Sequence, residues 1–247
     1  MAAVRRGLLV LALLLAAGPA LAQSVTLDMG AAGSAGTTSR LVQLTALIGL
    51  LSLAPSLLVM VTAFGRIIIV LSLLRSAIGA PGIPPNPVLI GLGLFLTFFV
   101  MQPAFDQAWT AGLLPLAEGR IGEMDGLAAA AEPFRHFMAA NVRESDLTLF
   151  LDMARLPPVV DPDTSPWRAL VPAFMVSELR RAFEIGFLLF LPFLVIDLVV
   201  ASILMSLGMM MLPPSVVALP FKIVFFVIVD GWRLIAGSLV QGFSPPG

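Results

Sequence analysis

Two charged residues stand where charge is costly. Asp197 lies in LPFLVIDLVVASIL, and Lys222 lies in ALPFKIVFFVIV. An unpaired charge in hydrocarbon is expensive, so each of these side chains needs a partner or a watered path. Their spacing points to one another. The mean of 197 and 222 is 209.5, which falls inside the turn SLGMMMLPP at 206–214. If the flanking apolar runs fold back there, the two charges lie at one depth to within about a residue or two, at ~1.5 Å of rise per residue. Pro213, Pro214 and Pro220 disturb that ladder. Such a pair can fix helix register, within one hairpin or between neighbouring copies, or it can serve a small-solute or proton path. One Asp beside one Lys tends to stay ionised, which disfavours a proton relay. Glu178 is the third candidate, because PAFMVSEL surrounds it with apolar residues and a buried acid requires a partner.

The turn between these runs is itself unusual. Met209, Met210 and Met211 follow Gly208 and precede Pro213 and Pro214. Methionine has three rotatable bonds and a polarizable sulfur, so it conforms to irregular or changing surfaces. The plain reading is core filling or lipid contact. The sharper one is a pliable apolar seal at a hairpin tip, with Gly208 giving the turn its conformational freedom.

Enzyme chemistry finds little support. There is no cysteine and one histidine, His136, so thiolate and multi-imidazole metal sites are excluded. His136 reads as a surface or satisfied helix residue. No GxSxG, GxGxxG or HExxH motif occurs, and the single lysine is in no P-loop. No cofactor is expected. The net charge of −1 offers no basic patch for nucleic acid.

The elements that must position these residues are apolar. Of 247 residues, 59% are hydrophobic and only 12% charged, which marks a membrane protein. Residues 1–22 read as a cleavable signal peptide: MAAVRRG is a basic leader, LLVLALLLAA a short apolar core, and ALA at 20–22 a cleavage site between Ala22 and Gln23. Residues 23–40 are small and polar, a flexible leader. Apolar stretches follow at about 43–74, 88–105, 185–207 and 215–240, each long enough to span. The first is interrupted by Pro55 and Arg66, and GLG at 91–93 in the second suits close helix packing. The loop 75–87 holds four prolines and is read as non-helical. Arg66 and Arg75 flank it, which places it in the cytoplasm by the positive-inside rule.

Residues 106–184 carry twelve of the fifteen acids and seven of the fourteen basic residues, and are expected on the periplasmic side. A helix is expected over FRHFMAANV with Pro133 in its first turn. A second, LTLFLDMARL, is expected with Ser145 or Asp146 as cap and a stop at Pro157–Pro158. Phe134, Phe137, Phe150 and Leu151 are the apolar teeth of this layer. From Pro166 a helical pattern runs on into the third apolar stretch. Glu178 with Arg181, Arg180 with Glu184, and Asp230 with Arg233 have the spacing of pairs on one helix face. The fold class is all-α: membrane-associated hairpins with a helical periplasmic segment.

Three long stretches together resemble the FliP family of flagellar export-gate proteins: PAFMVSELRRAFEIGF (172–187), RSAIGAPGIPPNPVLIGLGLFLTFFVMQP (75–103) and SLGMMMLPPSVVALPFKIVFFVIVDGWRLIAGSL (206–239). The likeness covers 41–247 apart from parts of 106–165. It implies a core subunit of the flagellar type III export gate in the bacterial inner membrane. Several copies, five in the family pattern, join FliQ and FliR in a helical ring, with FlhB and FlhA completing an apparatus that passes unfolded rod, hook and filament proteins. The same resemblance admits an injectisome gate subunit. It implies a gasket of Met209, Met210 and Met211, assembly roles for Glu178, Asp197 and Lys222, and subunit packing by Phe137 and Phe150. It also implies that the hairpins need not cross the bilayer conventionally.

Overall fold

The computed structural model describes residues 45, 48, 49, 52, 56, 59–80, 82–209 and 211–243. The expectations about the signal peptide, including Ala22 and Gln23, about the leader at 23–40 and about Met210 lie outside them. The chain divides into two units, residues 1–52 and 53–247. In the first, residues 45, 48, 49 and 52 are helical and exposed. Among the described residues the second unit is all-α, with no strand.

The centre of the second unit is α1, Phe64–Ile78. Its buried residues Ile67, Val70, Leu71, Leu74, Ala77 and Ile78 recur every three or four positions, the stripe of a core-facing helix. Burying each of the larger ones contributes about 1.5–3 kcal/mol relative to exposure. The stripe packs along α5 and α2. Helix α2, Asn86–Ala108, opens with Pro87 in its first turn and runs through a π turn, Trp109–Leu113, into Leu114–Ala117. Helices α3, Glu123–Asn141, and α4, Glu144–Met153, form the layer of the charged segment. Helix α5, Trp167–Ser206, is one rod of 40 residues. At ~1.5 Å per residue it is about 60 Å long, twice the thickness of a bilayer core. Its first half packs on α1, α3 and α4, and its second half forms a hairpin with α6, Pro214–Ile228. Helix α7, Gly231–Gln241, closes the described chain.

Among the described residues two helices, spanning Asn86–Ala117 and Trp167–Ser206, are long and apolar enough to cross a membrane. The expected fourth span is not one rod. It is α6 and α7, bent by 62°. Asp230 at the break adopts φ 51°, and a Cβ on Gly231 would stand 2.2 Å from the Phe226 ring. The dipeptide Asp-Gly is turn chemistry, and here it overrides the apolar run.

Other boundaries also moved. Helix α1 continues to Ile78, so the non-helical loop is 79–85. Pro133 is inside α3, not at its start, because the helix begins at Glu123 with Glu123 and Asp125 in the first turn, where acids favour the N-terminus. Neither Ser145 nor Asp146 caps α4. Extended Arg143 precedes it without a side-chain cap, and Asp146 is drawn inward to accept a 2.7 Å hydrogen bond from Ser177 Oγ. The helix ends at Met153, before the prolines, and Arg155 turns the chain at φ 54°.

The glycines divide by what they touch. Gly112 lies against α3, where a Cβ would come 2.5 Å from the backbone nitrogen of Ala130. A Cβ on Gly93 would lie at van der Waals distance from Phe64 and Ile68 of α1, while one on Gly91 would face open space. Gly112→Val should therefore force the α2–α3 crossing apart and destabilise the protein by about 1–3 kcal/mol. Gly91→Ala should be neutral or mildly stabilising. Thermal melts of the two variants in detergent check the contrast.

Candidate functional site

The site is built along α5, from its buried N-terminal half to the turn at its far end. The structure places Glu178 on α5 at 3% exposure, facing Arg66 of α1, itself 1% exposed. Arg66 Nε donates to Glu178 Oε2 at 2.8 Å, and its Nη2 donates to Oε1, so the pair is bidentate. Arg66 Nη1 donates to the Gly242 carbonyl at 2.7 Å, and the guanidinium lies 3.7 Å from the Phe243 ring centroid. One side chain thus joins α1, α5 and the chain's end beyond α7. The expected Glu178–Arg181 pairing is not what satisfies Glu178. Arg66 also ceases to be a loop charge, leaving Arg75 as the arginine at the 79–85 loop. The sequence carried a signal for this match: a lone arginine and a lone acid, each in apolar surroundings, each needing a partner.

Asp197 and Lys222 meet within one chain. Lys222 Nζ donates to Asp197 Oδ2 at 2.6 Å and to the Ala77 carbonyl at 3.2 Å. Lys222 is 5% exposed. The contacts of a smaller cluster, Val200, Leu204 and Ala218, bind α5 to α6 beyond this pair.

At the tip, Gly208 takes φ 74° and Met209 N donates to the Leu204 carbonyl at 2.9 Å. This six-residue closure with a left-handed glycine is the Schellman ending of a helix. Pro213 is extended and Pro214 occupies the first turn of α6, which restarts the helix at once. Met209 is 43% exposed and Met211 99%. Met205, one turn earlier, is also exposed, as are Leu207 and Leu212. The tip is therefore a cluster of flexible apolar side chains facing outward. Met205 was absent from the sequence reading, although it sits one helical turn before the methionine run.

The aromatic residues separate. Phe137 is fully buried in its own chain, edge-on to Phe174 and stacked on Phe243. It has no surface left for a neighbouring copy, which corrects the reading of it as a subunit contact. Phe150 is half-buried against the same core. His136 is half-exposed, with Nδ1 3.0 Å from Asp163 Oδ1. Arg180 meets Glu184 at 3.2 Å, Arg143 adds a second contact to that acid, and Asp230 lies 3.9 Å from Arg233. Among the described residues no group of three acid or imidazole side chains could hold a metal.

The FliP family model matches residues 47–239. A relative from Caulobacter vibrioides is 54% identical over 226 residues, 91% of this chain and 84% of its own length. One from Rhizobium meliloti is 48% identical over 95% of this chain and 97% of its own. One from Bacillus subtilis is 48% identical over 83% and 93%. Each bears the name flagellar biosynthetic protein FliP.

The buried arginine makes a sharp prediction. Arg66→Met leaves Glu178 uncompensated and should destabilise by about 3–5 kcal/mol. Arg66→Met with Glu178→Met should recover a substantial part of that loss, since no buried charge remains unpaired. Unfolding curves of both variants in one detergent measure the difference.

Proposed function

The chain belongs to the FliP family, and on that premise we propose that it is a channel-forming subunit of the flagellar protein-export apparatus. Copies of it form a ring with FliQ and FliR, five in the family pattern, and FlhB and FlhA complete the apparatus. Unfolded rod, hook and filament proteins pass through. The ring belongs to the inner membrane at the flagellar base, with residues 106–184 on the periplasmic side.

The observation that carries this reading is the tip of the α5–α6 hairpin. A ring of such tips brings Met209, Met210 and Met211 around one axis. Pliable thioether side chains close a narrow passage against ions at rest, and repack around chains of varied sequence when substrate passes. The hairpin that presents them is held by the Asp197–Lys222 pair. That arrangement also argues against a solute transporter working through these two charges, because Lys222 is committed to Asp197 and to a backbone carbonyl. The relatives named above are flagellar by name, which favours a flagellar role over an injectisome one.

Replacing Met209, Met210 and Met211 by alanine should raise ion leak across the inner membrane several-fold while the complex still assembles. Leak measured alongside recovery of the purified complex tests this. Assembled complexes with unchanged leak and unchanged export would remove the seal from the account.

A further inference from the structure

The Asp197–Lys222 pair occupies a particular place along the hairpin. On its core side, Phe193 of α5 packs against Phe225 and Phe226 of α6, all part of the main hydrophobic core. On its tip side the arms are joined by Val200, Leu204 and Ala218, with Ile196 and Val217 packed beside them. There an apolar groove of about 390 Å³ opens along Val195–Leu204 toward Val217 and Phe221. Packing therefore fixes the base of the hairpin well and its outer part weakly. The pair stands between the two regimes on both arms, at 197 between 193 and 200, and at 222 between 226 and 218.

Lys222 does more there than neutralise Asp197. Its second bond goes to the Ala77 carbonyl, in the last turn of α1. The last four carbonyls of a helix have no partner within it. Gly79 then ends α1 in the left-handed conformation at φ 77°, its N–H bonded to the Arg75 carbonyl. A Cβ on Gly79 would lie 3.7 Å from Lys222 Nζ, so the ammonium sits directly over this helix end. A cation at the C-terminal end of a helix also meets the negative end of its dipole. Among the described residues this is the hydrogen bond that ties α6 to α1.

We propose that Lys222 is a positioning residue: by capping the C-terminus of α1 it sets the angle at which the α5–α6 hairpin leaves the core, and so the closure of the methionine turn. The effect on closure rests on the function proposed above. The effect on angle does not. Asp197 holds the ammonium in place, but the Ala77 carbonyl supplies the external reference against which the hairpin is aligned.

The test separates positioning from simple charge neutralisation. The chain has no cysteine, so cysteines placed at the exposed residues Ser76 and Val216 accept spin labels uniquely. Their separation is measured in the assembled complex, with labelled copies diluted among unlabelled ones, and ion leak is recorded for the same variants. Asp197→Asn should leave the distance near that of the parent, because Lys222 still reaches Ala77. Lys222→Met should shift and broaden it. Lys222→Arg, which keeps charge and donors, should restore it at least in part. The deciding variant is Asp197→Asn with Lys222→Met, which leaves no unpaired charge and so stays testable if the single Lys222→Met fails to assemble. It should keep the shifted distance and a leak raised several-fold. A return of the double variant to the parental distance would show that Lys222 only neutralises Asp197, and would overturn the proposal. So would an equal shift in Asp197→Asn alone. A shifted distance with parental leak would break the link from angle to closure. The alanine replacements at 209–211 judge the seal independently of the distance.

Discussion

A guanidinium buried at 1% exposure constrains everything around it. Arg66 would be untenable in this apolar interior alone, since an isolated charge there faces a large desolvation penalty. It is tolerable because Glu178 offers both carboxylate oxygens, Gly242 a carbonyl and Phe243 a ring face. The partners come from two separate parts of the chain, so the arginine is satisfied only when α1, α5 and the segment after α7 are correctly placed together. A hydrophobic stripe tolerates a helix sliding or rotating by part of a turn. A bidentate ion pair does not. The apolar contacts supply most of the adhesion, and Arg66 makes the arrangement specific.

From this anchor α5 reaches away as a long lever. Its first part lies on α1, α3 and α4, the main core follows it as far as Phe193, and beyond that its packing within the chain is the small cluster shared with α6. The second ion pair is 19 residues further along, 197 less 178, or about 28 Å at the rise of an α-helix. The two pairs therefore secure the lever in its first half and about three-quarters of the way along it. Beyond the second, the chain carries mostly exposed apolar surface to the turn at Gly208. That distribution suits the proposed ring: well packed where the chain folds on itself, and sparsely packed at the part of the hairpin that neighbouring copies would complete.

Some of this was legible in the sequence, for identifiable reasons. The depth match of Asp197 and Lys222 follows from helical rise and a central turn, which are local quantities. The continuity of 167–206 follows from a helical pattern that runs from Pro166 into the third apolar stretch with no turn cluster between them. The Arg66–Glu178 pair spans 112 residues, and no local rule names one partner for a charge among several. Phe137 was visible as apolar, but whether an aromatic faces its own core or a neighbour depends on where Phe174 and Phe243 arrive. Pro133 was misplaced because proline favours a helix start, while packing of α3 on α2 and on the π turn at 109–113 holds it in a helix interior. The break at Asp230 was present as an Asp-Gly pair, masked by the apolar residues on both sides.

In the proposed ring the exposed turn of this hairpin faces the export path. A single cysteine in place of Met211, in a complex holding a stalled export substrate that carries cysteines along its length, tests it directly by disulfide capture. A cysteine at Leu149, exposed on α4, serves as the control. Position 211 should capture the substrate and position 149 should not. Capture at 149 with none at 211 would contradict that placement.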